Sequence, residues 1–297
     1  MSDVDFRLTD DQRALRQGMR ELLDGRFGRE ALRAAADADG LDRELWRELG
    51  EAGLFTLRVP EADGGVGLGL PEAVLVFEEA GRALVPGPLV ATHLAGARAE
   101  PGSVVTAVWE EGGLVDHLAD ADYVLAGDGL LPAEPVRAAA EPVRSVDPLT
   151  PLHRSAGTAG PRAVHEAALL TAALQLGTAG WAMDAAVAYA KEREQFGRPI
   201  GSFQAVQHLC ARLLVRAEPA RAAVYAAAVT GDPGEIAAAK LLADEAAVAG
   251  MRDCLQVHGG MGFTWEADVH LHLKRAWLRA EQWQRAGVAE EELAAAL

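Results

Sequence analysis

The sequence is short of aromatic residues, cysteine and positive charge, and each shortage removes a class of protein. Aromatic residues make up 5% of its 297 positions, whereas strands favour Val, Ile, Thr and aromatic side chains and close-packed helices draw on Ala and Leu. The two cysteines, Cys210 and Cys254, are too few for a disulfide framework or a four-cysteine metal site and form no CxxC; such usage suits a reducing compartment. Lys plus Arg number 28 against 44 Asp plus Glu, a formal charge of -16, which repels a phosphodiester backbone and disfavours nucleic-acid binding. The start, MSDVDFRLTDDQRALRQ, has no basic region followed by an apolar one. No later stretch reaches about 18 apolar residues without charge. The expectation is a cytoplasmic protein with no membrane span.

What is present is a polarity typical of a globular chain, with 50% hydrophobic and 24% charged residues. Leu8, Leu15, Met19 and Leu22 recur at helical spacing after Thr9, which has Gln12 three residues on, a capping-box pattern. Residues 42–53 predict a second helix ending at Gly53, and residues 71–85 a third with Pro71 in its first turn. The glycines of VPEADGGVGLG between them mark a loop. From about 96 to 160 the runs SVVTAVWE, ADYVLAG and EPVRSVD read as strands. Long helical patterns then fill the rest. The expected fold is mainly α: an N-terminal helical domain (1–95), a short β-rich middle region (96–160) and a C-terminal four-helix bundle (161–297). Runs such as AALLTAALQL are apolar over a broad arc, so they predict burial at the centre of the bundle or against another chain.

Three segments could carry chemistry. In REQFGRPIGSFQ, residues 193–204, an Arg beside a glycine turn and a helix start can hold a phosphate; the alternative is a helix hairpin whose arginines pair with surface carboxylates. In QVHGGMGFTWE, residues 256–266, Gly259, Gly260 and Gly262 let another group approach the backbone, or simply end a helix. VPEADGGVGLG has no lysine or serine to form a phosphate loop. His258, His270 and His272 cluster with Glu266 and Asp268, but His270 and His272 diverge on a helix and HExxH is missing, so no metal is expected. GxSxG and SxxK are also missing, which disfavours a covalent nucleophile.

YAKEREQFGRPIGSFQAVQH at 189–208 together with LQVHGGMGFTWE at 255–266 resembles the acyl-CoA dehydrogenase family, with its RxxFGxxIxxxQ and QxxGGxG segments. The stretch LWRELGEAGLFTLRVPEADGGVGLGLPEAVLVFEEAGRAL at 45–84 is similar to that family's N-terminal domain, so the resemblance covers nearly the whole chain. It implies FAD as cofactor, an acyl-CoA substrate oxidised to the trans-2-enoyl thioester, a carboxylate base and an electron-transfer acceptor. It further implies that Arg193 faces the FAD pyrophosphate, Phe196 packs near the cofactor and Gln204 contacts its adenine-ribose side. Gln256, Gly259 and Gly260 would lie against FAD from the adjacent subunit.

Two features depart from the family pattern. The middle region is too short for the usual closed β-domain. The position of the family's glutamate falls at Trp283, with Glu281 two residues away, and the position used by another branch falls at Ala167, with Glu166 next to it. Both departures resemble the short, degenerate subunit of heteromeric dehydrogenases in bacteria that degrade steroids and related branched or polycyclic acids. A homologous full-length partner in an α2β2 assembly would then supply the glutamate. The alternatives are a self-sufficient homomer using Glu166 or Glu281, and a non-redox structural or binding module on the same scaffold.

Overall fold

The computed structural model describes residues 7–109, 113–155 and 157–295; residues 1–6 of the leading segment and Glu110, at the end of the first expected strand run, lie outside the described residues. The chain opens with α1 (Asp10–Arg26), α2 (Arg29–Asp37), α3 (Arg43–Glu51), α4 (Leu70–Arg82) and α5 (Leu89–Ala95). The capping box at α1 forms: Thr9 Oγ1 accepts from the Gln12 amide at 3.2 Å, and Gln12 Oε1 accepts from the Thr9 amide at 3.0 Å. Asp42 caps α3, and Gly53 follows its end at a φ of 86°. The short helices α2 and α5 are additions to the sequence reading.

The middle region holds β1 (Val105–Ala107), β2 (Leu114–Asp116), β3 (Tyr123–Ala126), β4 (Gly129–Pro132), α6 (Ala133–Ala139), β5 (Glu141–Val143) and β6 (Leu152–Arg154). They form two three-stranded sheets, ordered β1-β3-β4 and β2-β6-β5. β1 and β3 run parallel; the other pairs in these sheets are antiparallel. The three expected strand runs contain β1, β3 and β5, while β2, β4 and β6 are additions to the sequence reading.

The C-terminal part comprises α7 (Val164–Glu192), a hairpin of β7 (Glu194–Gln195) and β8 (Arg198–Pro199), then α8 (Gln204–Thr230), α9 (Pro233–His258), α10 (Val269–Glu281) and α11 (Ala286–Ala295). Every residue from Ala167 to Ala179 on α7 is buried. The chain's own helices provide that cover: a Cβ on Gly177 would sit 1.9 Å from the Glu78 carbonyl oxygen of α4, and one on Gly81 would sit 2.1 Å from that of Leu174. Glycine at both positions lets the two backbones touch. The broad apolar arc of α7 is thus consumed inside this chain. The last helical stretch is divided after Glu281, where Trp283 adopts a left-handed φ of 66°. No described helix is long and apolar enough to cross a membrane.

Candidate functional site

The hairpin between α7 and α8 is built by its turn residues. Phe196 and Gly197 both have positive φ, 55° and 74°, which suits the twist of a two-residue β-turn. The strained Phe196 backbone holds its ring almost wholly in solvent, 91% exposed, with its edge toward Phe203 at 6.0 Å. Arg198 lies over the Phe203 ring at 4.3 Å. Arg193 caps the end of α7 and is exposed; no hydrogen bond or ion pair engages its guanidinium among the described residues. Gln204 begins α8, exposed, where Phe203 provides no side-chain cap for the first amides.

The glycine-rich segment lies at the end of α9. Gly259 has φ 57° and ψ −137°, a conformation that favours glycine, and starts a short 3-10 turn to Phe263. Gly260 lacks that backbone requirement, and a Cβ added to either residue would meet nothing within 4 Å. The missing side chain at Gly260 is therefore not dictated by this chain's own packing. Gln256 is exposed on α9. Asp268, after the turn, accepts from Arg29 at 2.8 Å and Arg33 at 2.6 Å, which fastens the segment to α2.

The fold brings these two segments to one end of the bundle. Tyr189 near the end of α7 stacks on His258 of α9, and Ile200, Val206, Leu255 and Val257 share the apolar cluster beneath them. Of the histidines considered for a metal, only His258 lies here: His272 stacks on Trp181 at 3.6 Å, and His270 and Trp265 form a T-shaped pair at 4.6 Å. Among the described residues no group of three His, Cys, Asp or Glu side chains is placed to hold a metal ion. Burial pushes the Cys254 thiol up to about 12, far from a reactive thiolate.

The two carboxylates considered as bases lie apart from that end. Glu166, in the first turn of α7, is ion-paired with Arg58 and lines a cleft of about 400 Å³. Its neighbour Ala167 is fully buried. Glu281 is the exposed last residue of α10 and lines neither this cleft nor the smaller cavity beside Trp283. That cavity measures about 30 Å³, room for a water. Asp116, Arg275, Arg279 and Gln282 line it together with Trp283.

The buried charges around this cavity escaped the sequence reading. Arg275 pairs with Asp147 and donates to the Val85 and Leu149 carbonyls. Burial pushes the Asp116 carboxyl up, opposed by hydrogen bonds from Thr106 and Gln282. Burial likewise drives Arg279 well below its ordinary value, with the Arg275 charge adding to the effect. A further buried pair joins Lys240 to Asp244, whose other oxygen accepts from Gln175 at 3.0 Å. Charged residues on otherwise apolar helix faces, such as Arg275 and Arg279 on α10, are the signal that marks such pairs.

Comparison with known proteins follows the same division of the chain. A model described as the N-terminal domain of acyl-CoA dehydrogenase matches residues 9–100, and one for the C-terminal domain matches residues 161–283. Acyl-CoA dehydrogenase IpdE2 of Mycobacterium tuberculosis (strain ATCC 25618 / H37Rv) is 39% identical over 290 residues, covering 90% of this chain and 91% of that protein. Acyl-CoA dehydrogenase FadE34 of the same strain is 36% identical over 327 residues, which is 91% of this chain and 45% of that longer protein. Among solved structures, a Tcur3481-Tcur3483 steroid ACAD variant superposes with a TM-score of 0.82 at 26% identity, over 96% of this chain and 97% of the other. Together with the helical domains and the short β region between them, these matches establish that the chain belongs to the acyl-CoA dehydrogenase family.

Proposed function

We propose that this chain is a subunit of an FAD-dependent, heteromeric acyl-CoA dehydrogenase, holding the cofactor for a reaction whose catalytic glutamate belongs to a homologous partner chain. The observation that carries the reading is a contrast. Arg193, Gln204 and Gln256 are exposed without side-chain partners among the described residues, toward the end of the bundle that carries the open Gly259 and Gly260, while Trp283, which by resemblance aligns with the family's base, lines a cavity of only about 30 Å³. These residues fit FAD as one half of a site: an unpaired guanidinium suits a pyrophosphate, the Phe196 ring offers a face, and the open glycines allow close approach. Bound there, the flavin supplies the two-electron oxidant for an acyl thioester, and a separate acceptor takes the electrons away.

This chain's part is to grip and orient. Two three-stranded sheets leave the middle region without a closed wall, which the partner's middle domain would supply. The family's short and long relatives support the pairing, since this length of chain matches nearly all of IpdE2 but less than half of FadE34. The name of the Tcur3481-Tcur3483 steroid ACAD supports a bulky polycyclic acyl group as the substrate class, in an enzyme of lipid breakdown. Co-expression with a homologous dehydrogenase chain, followed by measurement of complex mass and flavin content, tests the proposal: an α2β2 complex with one FAD per pair of chains is expected, and flavin absent with every partner would favour a non-redox module.

A second reading has one observation in its favour: Glu166 lines the roughly 400 Å³ cleft. In a self-sufficient homomer using Glu166 as base, Glu166→Gln would collapse turnover while leaving flavin bound.

A further inference from the structure

Three cationic side chains are buried on α9 and α10: Lys240, Arg275 and Arg279, at 0%, 3% and 3% exposure. Two of them have a carboxylate of their own. Lys240 pairs with Asp244, and Arg275 pairs with Asp147 while donating to the Val85 and Leu149 carbonyls. Arg279 pairs with no carboxylate among the described residues. Its guanidinium makes one hydrogen bond among them, a long one of 3.4 Å from Nη1 to the Leu174 carbonyl oxygen. A guanidinium has five N–H donors and stays charged in proteins. Burial and the Arg275 charge both act against that charge, a cost that one long bond to a carbonyl does not offset.

The space beside Arg279 suits what it lacks. Arg279 lines the cavity of about 30 Å³ next to Trp283, where Leu89, Val90, Ala91 and Leu174 form apolar wall. Asp116 lines it too, and its carboxylate is the group that opposes an anion there. Both of its oxygens are held by neutral donors: Oδ1 accepts from Thr106 Oγ1 at 3.1 Å, and Oδ2 from Gln282 Nε2 at 3.2 Å. Burial pushes this carboxyl up, toward the form that does not repel an anion. A cavity of this size takes a water or a single monatomic ion and is too small for an acyl group. Apolar walls favour an ion that gives up its hydration readily, which selects chloride or bromide over fluoride.

We propose that this cavity is a halide site, in which chloride or bromide accepts from the remaining N–H groups of Arg279 and supplies the counter-charge that Lys240 and Arg275 receive from carboxylates. A water fills the same volume but leaves the guanidinium charge unmatched. The inference is independent of the flavin reading, because none of its groups belongs to the Arg193 and Gly260 end of the bundle and its test needs neither flavin nor partner.

Thermal unfolding of the full chain at fixed ionic strength, with sodium gluconate replaced stepwise by sodium chloride or bromide, tests it, because gluconate is too large for the cavity. The midpoint should rise with halide and level off, as expected of a ligand that binds the folded state at one site. Arg279→Met should remove this dependence, whereas Arg162→Met, at an exposed surface pair, should keep it. Asp116→Asn removes the opposing charge and should tighten halide binding at least threefold, a direction that simple damage to the fold does not produce. Anomalous diffraction from bromide-soaked crystals should place one bromide against Arg279. No rise of the wild-type midpoint with halide, a rise retained by Arg279→Met, weaker halide binding by Asp116→Asn, or bromide found only at the surface would each overturn the proposal. If Arg279→Met does not fold, the wild-type series and the bromide map still decide the matter.

Discussion

Tyr189 and His258 stack with ring centroids 4.2 Å apart and planes inclined by 22°, tying the end of α7 to the end of α9. His258 Nδ1 lies 2.9 Å from the Cys254 carbonyl oxygen, so the imidazole is held in place from within its own helix. The stack sets the hairpin bearing Arg193 beside the turn bearing Gly259. Such ring pairs contribute about 0.5–1.5 kcal/mol beyond their burial. Tyr189→Ala should therefore lower flavin retention in the assembled complex, whereas Tyr189→Phe, which keeps the ring, should match the wild type. Absorbance of bound flavin after gel filtration measures both.

Arg193→Ala should reduce flavin retention without changing the unfolding of the isolated chain, since the exposed guanidinium has no partner among the described residues. Arg193→Lys should recover only part of the loss, because a point charge does not reproduce a planar donor fork. Equal flavin content in the three proteins, purified with the same partner, removes Arg193 from the cofactor site.

Lys240 is fully buried and its ammonium group is matched by Asp244 and the Arg279 carbonyl. Lys240→Met leaves Asp244 buried without its counter-charge and should cost about 3–5 kcal/mol. The paired change Lys240→Met with Asp244→Leu removes both charges and should restore much of that stability. Denaturant unfolding of the single and double variants provides the comparison.

Burial lowers His93 to about 4, and burial with the Arg275 charge lowers His117 to about 3, both from 6.5. Between those values and 6.5 the unfolded chain binds more protons than the folded one, so stability is fully present above 6.5 and falls as pH drops toward 4. His117 sits at a φ of 51° and its Nε2 accepts from the Gly87 amide at 3.2 Å. Asn tolerates that backbone region, so a His93→Gln, His117→Asn variant should show a flatter stability profile between pH 6.5 and 4. Urea unfolding at several pH values reads the slope; an unchanged slope contradicts the assignment of neutral buried imidazoles.

The sequence displayed the features that depend on neighbouring residues. Thr9 and Gln12 announced their capping box, Gly53 its helix end, and the segments around Arg193 and Gly259 their turns. Features assembled from distant segments were hidden. Nothing in the letters joins Asp147 to Arg275, or Arg58 to Glu166 and His93, because those meetings depend on how α5, α7 and α10 pack. The family resemblance aligns Trp283 with the expected glutamate, but its left-handed backbone and the small cavity beside it arise from the break between α10 and α11.

Flavin reduction on mixing with acyl-CoA, followed anaerobically by stopped flow in the assembled complex, tests the division of labour most directly when this chain carries both Glu166→Gln and Glu281→Gln. Neither glutamate serves as the base in the proposed enzyme, so the double variant should reduce its flavin at the wild-type rate. A collapse of that rate with flavin still bound would place the base in this chain and contradict the account.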